Sequence, residues 1–389
     1  MVSPLDPKFD EGMMRRAIEL AQLGRYSNHP NPRVGCVLTL GERIVGEGWH
    51  RKWGEAHAEV RALTAAGDSA RGATAYVTLE PHCYHGRTPP CTDALIRAGV
   101  KRVVCGALDP NPKVSGAGIE QLSASGIAVE TGLLEAAVRE LNLGFEKRMT
   151  RGVPRVTVKI AMSLDGRVAL ANGVSKWITG EPARADVQHL RAAASAVLTG
   201  IETVIADDPQ LNVRDPSIEL LGRQPIRVVL DTRLRLAPAA RILAVPGHTV
   251  VFTAAEKLAH AGALRQAGAE VVGAPLDAEG HVDLQNVLAE LGRREYNDVL
   301  VEAGPTLAGR FLQLGLADEL IVYIAPIVLG PEARAMALLP PLYRIEDVLR
   351  YTLHDMQRIG ADAKLVLRPL SAAPAHPAPA AFAHPSAAG

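Results

Sequence analysis

An α/β protein of two domains is what the sequence predicts, and three observations predict it. The chain has 389 residues, whereas single hydrophobic cores stop growing near about 250 to 300 residues. Runs rich in Val, Ile and Tyr alternate with amphipathic runs of helical period, the pattern of sheets covered by helices. That pattern restarts once, near MTRGVPRV, where a new strand follows a long amphipathic helix. The expected division is 1–150, 151–370 and a tail, 371–389.

The first domain reads in order as strands VGCVLTL and RIVGEGW, helix HAEVRALTAAG, strand ATAYVTL, helix TDALIRAGV, strand KRVVCGAL, helix GIEQLSASG, strand IAVETG and one long helix, LLEAAVRELNLGFEKRM. The second opens on strand VPRVTVKIAMS. It continues through helix ARADVQHLRAAASA, strands AVLTG, PIRVVLD and HTVVFT, helix AEKLAHAGALRQAG, strand AEVVG, helix VDLQNVLAELGRRE, strand DVLVEAG, helix PTLAGRFLQLG and strand DELIVYIAP. The tail, SAAPAHPAPAAFAHPSAAG, has too little apolar surface to offset the entropy of ordering, so disorder is expected there.

Composition narrows the function. Basic and acidic residues balance at 42 each, aromatics are 4%, and no uninterrupted apolar stretch could span a bilayer. Neither nucleic acid nor membrane is an expected partner. The start, MVSPLDPKFDEGMMRRA, carries acids and prolines where a secretory signal needs a cationic and then an apolar run, so a cytoplasmic location is expected. Of four cysteines, Cys36 and Cys105 sit in β-branched runs and read as packed thiols. Cys83 and Cys91 remain.

Those two lie in TLEPHCYHGRTPPC, between a strand and a helix, and upstream lies GEAHAEV with His57 and Glu59 at a helix start. Residues two apart in a helix point nearly opposite ways, so both can address one point only off the helix's N-terminal end. A catalytic zinc takes three protein ligands and leaves a fourth place for water, whose pKa it lowers. The candidate ligands are His57, Cys91 and either His82 or Cys83, with Glu59 as an unbound carboxylate shuttling protons. A structural zinc would lack a fourth ligand and leave Glu59 idle. H-x-E alone is a weak signal; joined to a proline-flanked Cys/His loop it matches the zinc nucleobase deaminases.

In HPNPRVGCV, GEAHAEV, YVTLEP, GRTPPC, DPNPKVSGAG, SLDGR, SKWIT, ADDPQL, VEAGPTLAG and YIAP the chain closely resembles the bifunctional deaminase-reductases of bacterial riboflavin biosynthesis, from about residue 10 to 368. The resemblance implies a cytidine-deaminase-like α/β/α domain followed by a dihydrofolate-reductase-like α/β domain. It implies hydrolytic deamination of 2,5-diamino-6-(5-phosphoribosylamino)pyrimidin-4(3H)-one and then NADPH reduction of the ribosyl to a ribityl chain. The family normally has cysteine where His82 stands. Imidazole is a competent ligand, and Glu80-Pro81 and Cys91 fix a register that favours His82; Cys83 enters if the loop shifts by one residue. A weakened metal site, leaving a reductase with an impaired deaminase domain, is the alternative.

The resemblance also implies site residues. Asn31, otherwise a turn asparagine, would meet the pyrimidine edge, with His50, His85 and Arg87 near base or phosphate. NADPH would contact Ala161, Trp177, Thr203, Asp207, Thr232 and the turn Gly304, Pro305, Thr306, Leu307, Ala308, Gly309 and Arg310, where a strand feeds a helix N-terminus. Trp177 would otherwise read as core. Substrate would touch Ser175, Arg191, Leu211, Arg214 and Glu302, the arginines gripping phosphate. A homo-oligomer, dimer or tetramer, is expected, with DELIVYIAP as a pairing surface. A base-editing nucleic-acid binder is the competing class, but it would need a basic channel and stacking aromatics.

Overall fold

The structure is a computed structural model and describes residues 6–370. The expected tail lies outside the described residues. The chain packs as two compact units: Met1–Arg155 with Val187–Val197 and Asp208–Val299, and Val156–Asp186 with Leu198–Asp207 and Leu300–Gly389.

In the first unit, α1 (Pro7–Gln22) precedes β1 (Gly35–Leu40), β2 (Arg43–Trp49), α2 (Ala58–Ala66), β3 (Thr74–Leu79), α3 (Cys91–Ala98), β4 (Arg102–Ala107), α4 (Ala117–Ala124), β5 (Ala128–Thr131), α5 (Glu135–Leu141) and α6 (Leu143–Arg151). The strands form one sheet, β2-β1-β3-β4-β5, with β1 antiparallel to β2 and β3, and β3, β4 and β5 parallel. Period-two alternation sends successive side chains to opposite faces. Cys36, Leu38, Ala75, Val77, Val103 and Cys105 pack with Ala58, Ala62, Leu95 and Leu122 on one side. Val37, Tyr76 and Val104 pack with Met14, Ala17, Leu20 and Val138 on the other. Each such Val or Leu contributes about 1.5–3 kcal/mol by leaving water. Glycine sets how closely α2 lies on β2: a Cβ at Gly48 would stand 2.4 Å from the Ala58 carbonyl oxygen.

Helix α1 is not among the elements expected from sequence, although its start is marked: the Asp6 side chain accepts from the Lys8 N–H and Pro7 occupies the first turn. The single helix expected over 133–149 is two. Asn142 breaks it because its side chain accepts from the Arg33 N–H and donates to the Arg33 carbonyl, satisfying a distant loop instead of the helix. Buried Asp10 and Arg102 form an ion pair at 2.6 Å, and Tyr76 donates to the same carboxylate.

The rest of the chain supplies β6 (Arg155–Ser163), β7 (Arg167–Ala169), α7 (Glu181–Ala193), β8 (Ala196–Gly200), α8 (Ile201–Asp207), β9 (Ile226–Leu230), α9 (Arg241–Ala244), β10 (Thr249–Ala254), α10 (Gly262–Gln266), β11 (Ala269–Ala274), α11 (Leu284–Arg293), β12 (Asp298–Glu302), α12 (Pro305–Gln313), β13 (Glu319–Ala325), β14 (Arg334–Ala335), β15 (Tyr351–Ile359) and β16 (Asp362–Pro369). A nine-stranded sheet runs β11-β10-β9-β8-β12-β6-β13-β16-β15, and β14 pairs with β7. The helix expected over 255–268 is a 3-10 segment with no buried residue, Ala255–His260, followed by the short α10. The pairing surface expected at DELIVYIAP is overturned. That segment is β13, an interior strand bonded to β6 on one edge and β16 on the other, so it has no free edge. The hairpin β15–β16 carries that end of the sheet instead, and neither strand is among the elements expected from sequence. No helix among the described residues is long and apolar enough to cross a membrane.

Candidate active sites

The first site lies beyond the C-terminal end of β3, where the chain runs from Glu80 to Cys91 before entering α3. His57 is the N-cap of α2, in extended backbone at φ −74° and ψ 170°, and Glu59 lies inside the first turn. Placing the histidine outside the helix removes the difficulty of two residues two apart sharing a focus. Cys91 opens α3, and its N–H donates to the His82 carbonyl at 3.0 Å, which closes the loop and brings both side chains to one place.

The ligand atoms of His57, His82 and Cys91 all lie within 4.8 Å of one another. His57 Nδ1 stands 3.5 Å from Cys91 Sγ, while its Nε2 is held at 3.3 Å by the Thr88 hydroxyl. His82 bonds the Thr88 backbone through its ring, and its Nδ1 is buried with no partner. Buried polar atoms are almost always satisfied, so an orphan imidazole nitrogen facing a second imidazole and a thiol marks a place for a cation. Cys83, half-buried, is not in this group. Burial lowers His57 to about 3, keeping it neutral, as a metal ligand must be. The Cys91 thiol is pushed well up, first by burial and then by Glu59.

Glu59 is buried, and burial raises its carboxyl to about 7 against hydrogen bonds from its own N–H and the Cys91 thiol. Asn31 reaches the same region: its amide nitrogen lies 3.0 Å from His50 Nε2, and the His50 ring is 4.9 Å from that of His57. His85 is exposed, as is Arg87, which stacks over Trp53 at 4.0 Å. One neighbour the sequence did not single out for a role is Glu80. Its buried carboxylate accepts the N–H groups of Asp109, Gly116 and Gly118 at 2.9–3.1 Å, tying the DPNPKVSGAG loop to the ligand loop. A buried acid between an apolar strand and a proline was the signal for it.

In the second unit, β12 ends at Glu302, half-buried with Lys159 Nζ 4.0 Å away. The turn into α12 follows. Gly304 is the N-cap, and its N–H donates to the Thr203 hydroxyl at 3.2 Å. A Cβ at Gly304 would meet only Thr203, at 3.8 Å, and Thr306 is exposed. Pro305, Leu307 and Arg310 are half-buried. Ala308 and Gly309 face the interior instead; a Cβ at Gly309 would stand 2.0 Å from the Leu338 carbonyl oxygen, so this glycine serves packing. Asp207 pairs with Lys176 at 3.8 Å, and Ala161 and Ser175 are half-buried. Trp177 is 69% exposed with Arg184 over its ring at 4.4 Å, so it is no core residue. Lys159, unremarked in the sequence, is the functional-looking neighbour on this side, detectable only as a lysine inside the alternating strand VTVKIAM.

The remaining candidates belong to the first unit. Arg191 is buried and donates to the Asn212 carbonyl at 3.2 Å, and Arg214 donates to the Asn212 side chain at 3.2 Å. Leu211 is buried at φ +52°, a conformation a leucine rarely holds. The Thr232 hydroxyl accepts from the Val282 N–H at 3.1 Å.

Residues 154–365 match the RibD C-terminal domain, and residues 7–107 match the cytidine and deoxycytidylate deaminase zinc-binding region. The riboflavin biosynthesis protein RibD of Escherichia coli is 48% identical over 369 residues, covering 92% of this chain and 99% of that one. That of Aquifex aeolicus is 42% identical over 356 residues, covering 91% and 97%. The chain belongs to the RibD family. Among solved structures, Acinetobacter baumannii RibD superposes with a TM-score of 0.88 at 47% identity, covering 94% of this chain and all of that one. A Thermotoga maritima diaminohydroxyphosphoribosylaminopyrimidine deaminase/5-amino-6-(5-phosphoribosylamino)uracil reductase does so at 0.83 and 35%, covering 93% and 99%. The protein is therefore a bifunctional deaminase and reductase of riboflavin biosynthesis, α/β throughout, with a zinc-binding deaminase part. The reading as a reductase with an impaired deaminase is not favoured, since the family match spans both parts and His82 completes a three-residue cluster.

Proposed function

We propose that the first part deaminates 2,5-diamino-6-(5-phosphoribosylamino)pyrimidin-4(3H)-one and that the second reduces the ribosyl group of the product to ribityl with NADPH, the functional division falling at residues 150/151. The observation that carries the first step is the cluster of two imidazoles and a thiol beside the buried carboxyl of Glu59. Two nitrogens and one sulfur suit zinc, and three protein ligands leave a place open. His57, His82 and Cys91 would hold the ion; Cys83 is set aside. Zinc, when bound, supplies Lewis acidity that makes water a nucleophile near neutral pH.

The chain's own residues do the rest. Glu59, able to hold or release a proton near neutrality, takes one from the attacking water and returns it to the departing amino group, so that ammonia leaves. The Asn31 amide, braced by His50, donates to and accepts from the pyrimidine edge. In the second step the first-turn N–H groups of α12 at Thr306 and Leu307, which have no partner within the helix, face cofactor phosphate, with Gly304, Pro305, Ala308, Gly309 and Arg310 shaping the turn. Ala161, Trp177, Thr203, Asp207 and Thr232 are further cofactor contacts. Ser175, Leu211 and Glu302 meet the sugar, and Arg191 and Arg214 its phosphate.

We further propose a cytoplasmic enzyme that works as a homo-oligomer, dimer or tetramer. The sheet-end strand β15 exposes Leu353 and Met356, and the segment before it exposes Leu342, Tyr343 and Ile345, large apolar side chains of the kind that interfaces cover. A second copy is the proposed occupant, and sedimentation of a Leu353→Lys/Met356→Lys variant as monomer is the expected result. For the reactions, ammonia release from the diaminopyrimidine should vanish on chelation and return with zinc, while NADPH oxidation on the deaminated product should survive chelation. Full ammonia release from zinc-free protein would overturn the first assignment; no NADPH oxidation on the deaminated product would overturn the second.

A further inference from the structure

The loop Tyr26–Asn31 carries Asn31, the proposed pyrimidine contact, yet much of what holds it comes from residues far along the sequence. Arg223, between α8 and β9, donates from Nε to the Tyr26 carbonyl at 3.0 Å and from Nη1 to the Ala194 carbonyl at 3.0 Å; its Nη2 donates to the Ala192 carbonyl. Asn297, just before β12, donates from Nδ2 to the Pro30 carbonyl at 2.8 Å, while its Oδ1 accepts from Arg148 at 2.6 Å. Between these two points His29 Nδ1 meets the Ser195 hydroxyl at 3.0 Å. That hydroxyl already accepts from the Asn297 and Asp298 N–H groups, each at 3.0 Å. With both lone pairs used, it donates its own proton, and His29 accepts as a neutral ring. The Tyr26 hydroxyl bonds His189 Nδ1 at 3.0 Å, and its ring packs on Ala192, Val213 and Ile218. All of these residues belong to the first compact unit, although 189–297 lie within the stretch that matches the reductase family.

We propose that Arg223 and Asn297 are positioning residues for the deamination step: by holding the carbonyls of Tyr26 and Pro30 they fix the loop and, through it, the Asn31 amide beside His50. The proposal rests on the reading of Asn31 as a pyrimidine contact. Neither residue touches the reacting atoms. A carbonyl gripped by the half-buried Arg223 guanidinium or the buried Asn297 carboxamide cannot drift without leaving that donor unsatisfied, which makes the loop's position costly to change. One consequence is that substitutions in the reductase-matched sequence should act on the deaminase.

The test uses full-length, zinc-loaded protein carrying Arg223→Gln, Arg223→Lys or Asn297→Asp, with Asn31→Ala as a parallel arm. Asn297→Asp turns the donor facing Pro30 into an acceptor without changing its size. Expected for Arg223→Gln and Asn297→Asp is a rise of about tenfold in the KM for ammonia release, the loss of one strong hydrogen bond, with kcat, zinc content and NADPH oxidation on the deaminated product nearly unchanged. Arg223→Lys, which keeps one charged donor, should fall between. An unchanged KM in both Arg223→Gln and Asn297→Asp overturns the proposal, as does a KM rise accompanied by zinc loss, which would show a merely structural role. If Asn31→Ala raises KM and the other two do not, only the positioning inference falls. If Asn31→Ala leaves KM unchanged, the reading of Asn31 falls and takes this inference with it.

Discussion

The two catalytic regions are built on opposite plans. The metal cluster draws His57, His82 and Cys91 from two helix starts and one loop within a short stretch of chain, and backbone hydrogen bonds from Cys91 and Thr92 to the His82 carbonyl bring two of them together. The reductase candidates are instead spread along the sequence from Ala161 to Arg310. A site assembled from one strand-loop-helix passage should fail through its chemistry while the fold survives. A site assembled from many elements should be sensitive to packing well away from the reacting atoms.

The sharpest way to break that contrast is Glu59→Gln. Loss of a general acid-base group predicts a fall of about 10² to 10⁴ in ammonia release, with zinc content and NADPH oxidation intact; a parallel loss of reduction would show that the regions are not separable. Next, His82→Ala should leave the protein nearly free of zinc by elemental analysis, His82→Cys should keep the metal, and Cys83→Ala should change nothing. Zinc retained by His82→Ala and lost by Cys83→Ala would reverse the ligand assignment.

On the packing side, Asp10→Ala leaves Arg102 buried without its main partner and should cost about 3–5 kcal/mol in denaturant unfolding, with no change in zinc affinity. A smaller contrast lies within one turn. Gly309→Ala, whose new Cβ would strike the Leu338 carbonyl, should destabilise the chain, whereas Gly304→Ala has room and should instead raise the KM for NADPH by about tenfold or less. The smallest expected effect is on acid stability. Arg294, then burial acting the other way, then His248 set the Glu270 carboxyl at about 2, below its ordinary 4.5. A lowered folded-state value stabilises above the unfolded value and is lost as pH falls through the folded one. Acid unfolding between about pH 4.5 and 2 should therefore be less steep in Glu270→Gln, modestly so, because the group is partly exposed and screened.

Much of this was legible in the sequence, for identifiable reasons. Strands such as RIVGEGW and helices such as VDLQNVLAELGRRE announce themselves because burial imposes a period of two or of 3.6 on their apolar residues. The metal loop was legible because its ligands are chemically rare residues close together in sequence. Helix α1 was missed despite the Asp6-Pro7 start, and the 133–149 helix was read through Asn142 because nothing local shows that its side chain belongs to Arg33.

Residue type and short-range spacing thus determined the α/β class and the His-x-Glu and proline-cysteine elements of the metal site, since these depend on local periodicity and intrinsic donor chemistry, whereas the reductase part was legible only through resemblance to a family. Only the tertiary structure decided that His82 and not Cys83 joins the cluster, that β13 is an interior strand, that Gly309 serves packing, and that Arg223 and Asn297 hold a loop nearly two hundred or more residues away. Those outcomes depend on which groups meet after folding. A side chain's sequence neighbours do not specify its partner across the core.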